Sequence, residues 1–143
     1  MQISHVLPPS HLDLADYSDY DFCLAHLAIK HDSYMEFFRE RRAKGRTVYM
    51  DNGVWEQGTP IEADQMIELA INIKPNYVYA PDYMNNMSKT LESIQNFGRK
   101  AQRYKEFKSK IIGVTQGNSL QEWFTCVAKL AKLPAEICHT KEL

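Results

Sequence analysis

The sequence predicts an α/β fold, a parallel sheet assembled from a repeating βα unit. Three observations predict it. Short β-branched or aromatic runs start near residues 22, 47, 77, 111 and 135, a spacing of roughly 24 to 34 residues that matches one βα unit. Between these runs, apolar residues recur at the i, i+3, i+4, i+7 spacing of an amphipathic helix. The runs are also apolar on successive residues or alternate only weakly, as in strands covered on both faces. Strict βα alternation then makes the sheet parallel, and right-handed crossovers leave few topologies.

Residues 1–20 carry Pro8 and Pro9 and then the acids Asp13, Asp16 and Asp19, with Asp21 following, and read as an irregular lead-in to a domain over 21–143. Phe22 to Leu27 is the first strand. Asp32 or Ser33 caps the next helix, with Ser33 and Glu36 at capping-box spacing, and Tyr34, Phe37, Phe38 and the stem of Arg41 share one face. Gly45 ends that helix, and Thr47 to Met50 is the second strand. Thr59-Pro60-Ile61-Glu62 is a second capping box with Pro at the first helical position, so a helix is expected over 60–73, buried through Ala63, Met66, Ile67 and Ala70 and stopped by Pro75. Tyr77 to Ala80 is the third strand, followed by a long helix whose Leu91, Ile94, Gly98 and Ala101 face the sheet. Ile111 to Thr115 is the fourth strand. Ser119 and Glu122 make a third capping box, opening a helix whose stripe is Leu120, Trp123, Phe124, Val127 and Leu130, with Trp123 in the core. Ala135-Glu136-Ile137-Cys138 starts a fifth strand.

Two architectures satisfy this pattern: a partial (β/α)8 TIM-type barrel of about five strands, and an open flavodoxin-like sheet. The fifth strand is not followed by a closing helix, which favours the partial barrel, since a whole barrel takes about 250 residues. A flavodoxin-like domain also needs a phosphate cradle, and neither GxGxxG nor GxxxxGK occurs.

Composition narrows the function classes. With 44% hydrophobic and 24% charged residues the chain is an ordinary globular protein, and a net charge of −1 supplies no global field for nucleic acid, which would have to be held by local patches. Cys23, Cys126 and Cys138 form no CxxC and are odd in number, so they read as reduced, buried thiols of a cytoplasmic protein. No apolar run reaches the ~20 residues of a membrane span and no signal peptide is recognisable, so no membrane partner is expected. No histidine has ligand-like spacing. Neither a metal nor a cofactor is expected.

The chemistry is expected where the strands end, because ligands of parallel α/β folds bind at the carboxyl ends of the strands. His26, Asp51, Asp82 and Gln116-Gly117 leave successive strands there. Asp51-Asn52-Gly53 is either a plain turn or a carboxylate held rigidly at a strand end. Two carboxylates and an amide match the hydrogen-bonding edge of a guanine-like heterocycle, and Gly117 admits close backbone approach to a ligand carbonyl. Trp55 either stacks on a base or anchors the loop on the rim. His26 is expected as a hydrogen-bonded strand-end residue rather than a general base.

In their order, Asp51-Asn52-Gly53, Ala80-Pro81-Asp82 and Ile112-Gly113-Val114-Thr115-Gln116-Gly117-Asn118 resemble the tRNA-guanine transglycosylase family, and more closely its phage relatives that insert 7-deazaguanine derivatives into DNA. The resemblance covers roughly Asp21 to Cys138. It implies a queuine/archaeosine tRNA-ribosyltransferase-like protein, a pentosyltransferase that exchanges guanine for a 7-deazaguanine base in DNA or tRNA. Asp51 would recognise the base and assist proton transfer, while Asp82, Gln116 and Gly117 would bind the base, with Asn52 and Gly53 beside them. The partners implied are a purine or 7-deazapurine base and DNA or tRNA, in the host cytoplasm for a phage-encoded chain. The family's nucleophilic aspartate and its zinc site of three cysteines and a histidine have no counterpart, and Asn52-Gly53-Val54-Trp55-Glu56 replaces the usual Ser-Gly-Gly-Phe-Gln. The chain is therefore expected as the base-binding half of a split or truncated enzyme; the alternative is a non-catalytic nucleotide- or partner-binding half-barrel.

Two basic stretches remain, Arg39 to Arg46 and the set Arg99, Lys100, Arg103, Lys105, Lys108 and Lys110. Each is either a phosphate contact or the solvated end of a helix. A half-barrel also has two sheet edges, of which Phe22 to Leu27 is expected to be bare, so a second chain or a homodimer is expected to cover them.

Overall fold

The computed structural model describes residues 1–135, 137 and 138. A 3-10 helix over Pro9–Tyr17 leads into β1 (Asp21–Leu24), α1 (Ala25–Lys30), α2 (Asp32–Ala43), β2 (Val48–Asp51), α3 (Val54–Gln57) and α4 (Ala63–Ile73). β3 (Tyr77–Tyr79), α5 (Met87–Ala101), β4 (Lys110–Ile112) and α6 (Leu120–Leu130) follow. The four strands form one parallel, unclosed sheet in the order β1-β2-β3-β4, each strand bonded to its neighbours in sequence. The fold is α/β, as expected.

The register sorts the strand residues into two faces. Cys23, Met50, Val78 and Ile111 lie level on one face, all buried, and form one core with Tyr34 and Phe38 of α2, Ile67 and Ile73 of α4, Ile94 and Phe97 of α5, and Leu130 of α6. Phe22, Tyr49 and Tyr77 lie level on the other face, with Asp51 and Tyr79 one step further along the strands. Their half-buried rings cover one another: Tyr49 stacks on Tyr77 at 4.5 Å between ring centres with planes 14° apart, and Phe22 meets Tyr79 at 5.9 Å.

Several expectations are corrected. The first strand stops at Leu24, where the ladder with β2 ends opposite Asp51, and Ala25 to Lys30 turn into a short helix. The outer edge of β1 is not bare: Val6 bridges Phe22 in parallel, and the Ile3 carbonyl accepts the Asp19 N–H at 2.8 Å. Residues 1–20 are thus more ordered than an irregular lead-in. Of the three capping boxes only one forms, with Ser119 Oγ accepting the Glu122 N–H and Glu122 reaching back to the Asn118 N–H at 2.8 Å. The second box fails because the Ile61 N–H bonds the Asn52 carbonyl, which keeps the connection extended and delays α4 to Ala63. In the first, His31 takes the N-cap position and no side chain caps it.

The α6 stripe is not core. Cys126 and Leu130 face inward, whereas Trp123 is 40% and Phe124 59% exposed, with Leu120 more exposed still. A helical period shows which apolar residues share a face but not that anything packs there. The fifth strand is not formed by the described part of 135–138: the Ile137 and Cys138 N–H groups both bond the Pro134 carbonyl in a tight turn, and Glu136 lies outside the described residues. That turn packs directly on α5, where a Cβ on Gly98 would fall 2.7 Å from Ile137 Cγ2.

The lead-in is held at the amino ends of the strands by one buried carboxylate. Asp21 accepts from Arg41 Nε at 2.9 Å and Arg46 Nη2 at 3.1 Å. Arg41 also bonds Asp16 and the Ala15 carbonyl, and Arg46 bonds the Ser18 carbonyl at 2.6 Å.

Candidate functional site

At the carboxyl ends of the strands, three exit loops are joined by side chains. Asn52, fully buried just after β2, sits at the centre. Its Nδ2 donates to the Ala80 carbonyl at 2.8 Å and to Asp82 Oδ1 at 2.7 Å, and its Oδ1 accepts the Val54 N–H at 2.9 Å. Asp82 Oδ2 accepts from Gln116 Nε2 at 2.6 Å, and Gln116 Oε1 accepts the Asn85 N–H at 2.9 Å. Asn85 is one of two described non-glycine residues in the left-handed region, φ 58°. Both Asp82 oxygens therefore have protein partners, and the carboxylate is almost wholly enclosed.

Asp51 ends β2 beside this network, partly buried, with Oδ2 accepting the Gly53 N–H at 2.8 Å. Burial raises its carboxyl above the ordinary aspartate range; the charges of Glu56 and Asp82 add to the rise, and the Gly53 and Asn52 N–H groups oppose it. Tyr79, level with Asp51 on the same sheet face, has its phenol pushed up by burial first and then by Tyr49, Tyr20 and Asp51. A carboxyl held above its usual range at the end of a buried strand is suited to carrying a proton.

His26 does not end a strand. It lies in the first turn of α1, 8% exposed, with its ring against Gly53 and no hydrogen-bond partner at Nδ1. Gly53 has φ 73°, and a Cβ there would fall 2.9 Å from that nitrogen. Gly53→Ala is therefore expected to destabilise the protein by about 1–3 kcal/mol, from left-handed strain alone before any clash, measured by denaturant unfolding; unchanged stability would show that the loop relaxes freely. Gly117 meets α6 rather than an open site, since a Cβ there would fall 2.7 Å from the Trp123 nitrogen. Trp55, on α3, is 76% exposed.

Asp51, Asn52, Asp82 and Gln116 thus come together, with the His26 ring against Gly53 beside them and Trp55 exposed on α3. Sequence reasoning missed Tyr79 and Asn85. Tyr79 had a signal, because Tyr77 and Tyr79 alternate with Val78; Asn85 had none beyond asparagine's tolerance of positive φ. A cavity of about 340 Å3, lined by Ile61, Pro81, Tyr83 and Lys89 among others, opens beside the exits of β2 and β3. Among the described residues no group of three or more His, Cys, Asp or Glu could hold a metal ion, and no helix is long and apolar enough to cross a membrane. No protein-family model matches the chain, and no curated protein matches it in sequence.

Proposed function

We propose that the chain is the base-binding part of a base-exchanging transglycosylase, which replaces guanine in DNA or tRNA by a 7-deazaguanine. The observation that carries the reading is the convergence of Asp51, its carboxyl raised by burial, with the Asp82–Gln116 pair at adjoining strand ends. The sequential strand order supports a segment of a (β/α)8 barrel, because a flavodoxin-like sheet has the order 2-1-3-4-5.

In this reading Asp82 keeps Oδ1 on the buried Asn52 amide and gives Oδ2 to the base in place of the Gln116 amide. The freed Gln116 carboxamide then offers one donor and one acceptor to the same edge. A carboxylate from the segment or chain that completes the barrel bonds C1′ as the C1′–N9 bond breaks. Asp51 gives its proton to the departing guanine and recovers one from N9 of the incoming base, whose nitrogen displaces the carboxylate from C1′.

Calorimetry with 7-deazaguanine tests the pocket. Wild type is expected to bind, and Asp82→Asn is expected to lose about 1–3 kcal/mol, because the asparagine amide cannot accept as the carboxylate does. Equal affinity in both proteins would remove Asp82 from the pocket, and exchange of labelled guanine out of DNA or tRNA in the presence of a completing chain tests the reaction itself.

A further inference from the structure

The two basic stretches, far apart in sequence, meet. At the amino ends of β3 and β4, opposite the Asp51 end of the sheet, a cavity of about 690 Å3 is lined by Arg42 from the first stretch and by Lys108 and Lys110 from the second. Lys74 and Tyr77 also line it, and Glu106 is the one carboxylate among its described lining residues. Arg42 and Lys74 stand at the ends of α2 and α4, where cations are favoured by the helix dipole. That explanation does not reach Lys108 and Lys110, which precede and begin a strand. Lys74 holds φ 58° as the left-handed cap of α4, with its N–H on the Ala70 carbonyl, and its own carbonyl accepts from Arg42 Nε at 3.1 Å. The Tyr77 ring is backed on one side by Tyr49, and Lys110 Nζ lies 5.8 Å from its centre.

We infer that this cavity is a nucleotide site, taking phosphate on Arg42, Lys74 and Lys108 and a planar base against Tyr77 and Lys110. The volume falls in the range of small-molecule sites. Among the described lining residues Arg42, Lys74 and Lys108 stand against the single carboxylate of Glu106, which makes the cavity positive on a chain whose net charge is −1. An aromatic face beside those cations distinguishes a nucleotide from a bare anion, because every base has a π-face to stack and phosphate has none. The inference does not depend on the base-exchange reading, which concerns the other end of the strands. The nucleotide is either free or part of a strand.

Titration of the whole chain at low salt with AMP, inorganic phosphate and a fluorescein-labelled 15-mer of thymidylate tests it. AMP or the 15-mer is expected to bind, AMP at least ten times more tightly than phosphate if the nucleotide is free. Binding of the 15-mer alone identifies a strand as the source. Lys108→Gln, at an exposed position that spares the core, is expected to weaken binding several-fold, and for the 15-mer to lower the slope of log affinity against log salt by about 0.7. Tyr77→Leu is expected to cost about 5- to 150-fold, the range of one stacked base, with circular dichroism checking its fold. The inference is overturned if neither ligand binds, if phosphate binds and does so as tightly as AMP, or if Lys108→Gln and a folded Tyr77→Leu both leave binding unchanged.

Discussion

Replacing Asp51 by asparagine is expected to slow base exchange by about 10²- to 10⁴-fold, the usual contribution of a positioned proton carrier, while stabilising the protein at neutral pH. The two effects have one cause. A carboxyl whose folded-state pKa is raised by burial contributes stability below its unfolded pKa and loses it as the pH rises through the folded value. At pH 7 burial of the carboxyl therefore costs the wild type stability that the asparagine variant keeps, while the amide oxygen can still accept the Gly53 N–H. Denaturant unfolding of both proteins from pH 4 to pH 7 should show their difference moving in favour of the variant as pH rises. Parallel curves would mean that the site does not strain the Asp51 carboxylate, and would remove the physical basis for its role as proton carrier.

The largest loss of stability is expected at the opposite end of the sheet. Asp21→Ala leaves Arg41 and Arg46 without the buried carboxylate that both grip, and removing one partner of a buried ionic cluster costs about 3–5 kcal/mol. Native proteins hold only about 5–15 kcal/mol in all, so the variant should be marginal at 37 °C. Exposed pairs such as Arg39–Glu36 give the control, because breaking them should change stability by less than about 1 kcal/mol. If Asp21→Ala unfolds at the same denaturant concentration as wild type, the 3-10 lead-in is not fastened through this carboxylate.

The strands were legible because their apolar runs were flanked by turn residues, and helices α2, α4 and α5 because their buried residues follow a 3.6-residue period. What failed did so for identifiable reasons. Ala25 to Leu27 extend an apolar run, and nothing local says where a ladder ends; the pairing partner decides that, and β2 supplies no partner beyond Asp51. Thr59 and Glu62 have the spacing of a cap, but a longer-range bond from Ile61 to Asn52 outcompetes it. Asp51 was legible as a strand-end residue and Asp82 and Gln116 as residues of the strand exits, although β4 stops at Ile112, short of the Thr115 expected. The part played by Asn52 was not, because an asparagine in a turn reads the same whether its amide points to water or to a buried carboxylate thirty residues away. The mutual satisfaction of Asp82 and Gln116 is likewise a property of three loops at once.

The sequential order of the strands has a consequence for how the chain acquires its shape. Every pairing closes a segment of about thirty residues, so each costs nearly the same loop entropy, about 3 kcal/mol by the logarithmic law, and none has to wait for a distant partner. β1 and β2 can pair, and the Asp21 bonds to Arg41 and Arg46 can form, before β3 has left the ribosome. The sheet then grows in the direction of synthesis, one unit at a time, and the Asn52–Asp82–Gln116 bridge closes last because its final member follows β4. Pulse-labelled hydrogen exchange should therefore find the amides of β2 protected before those of β4.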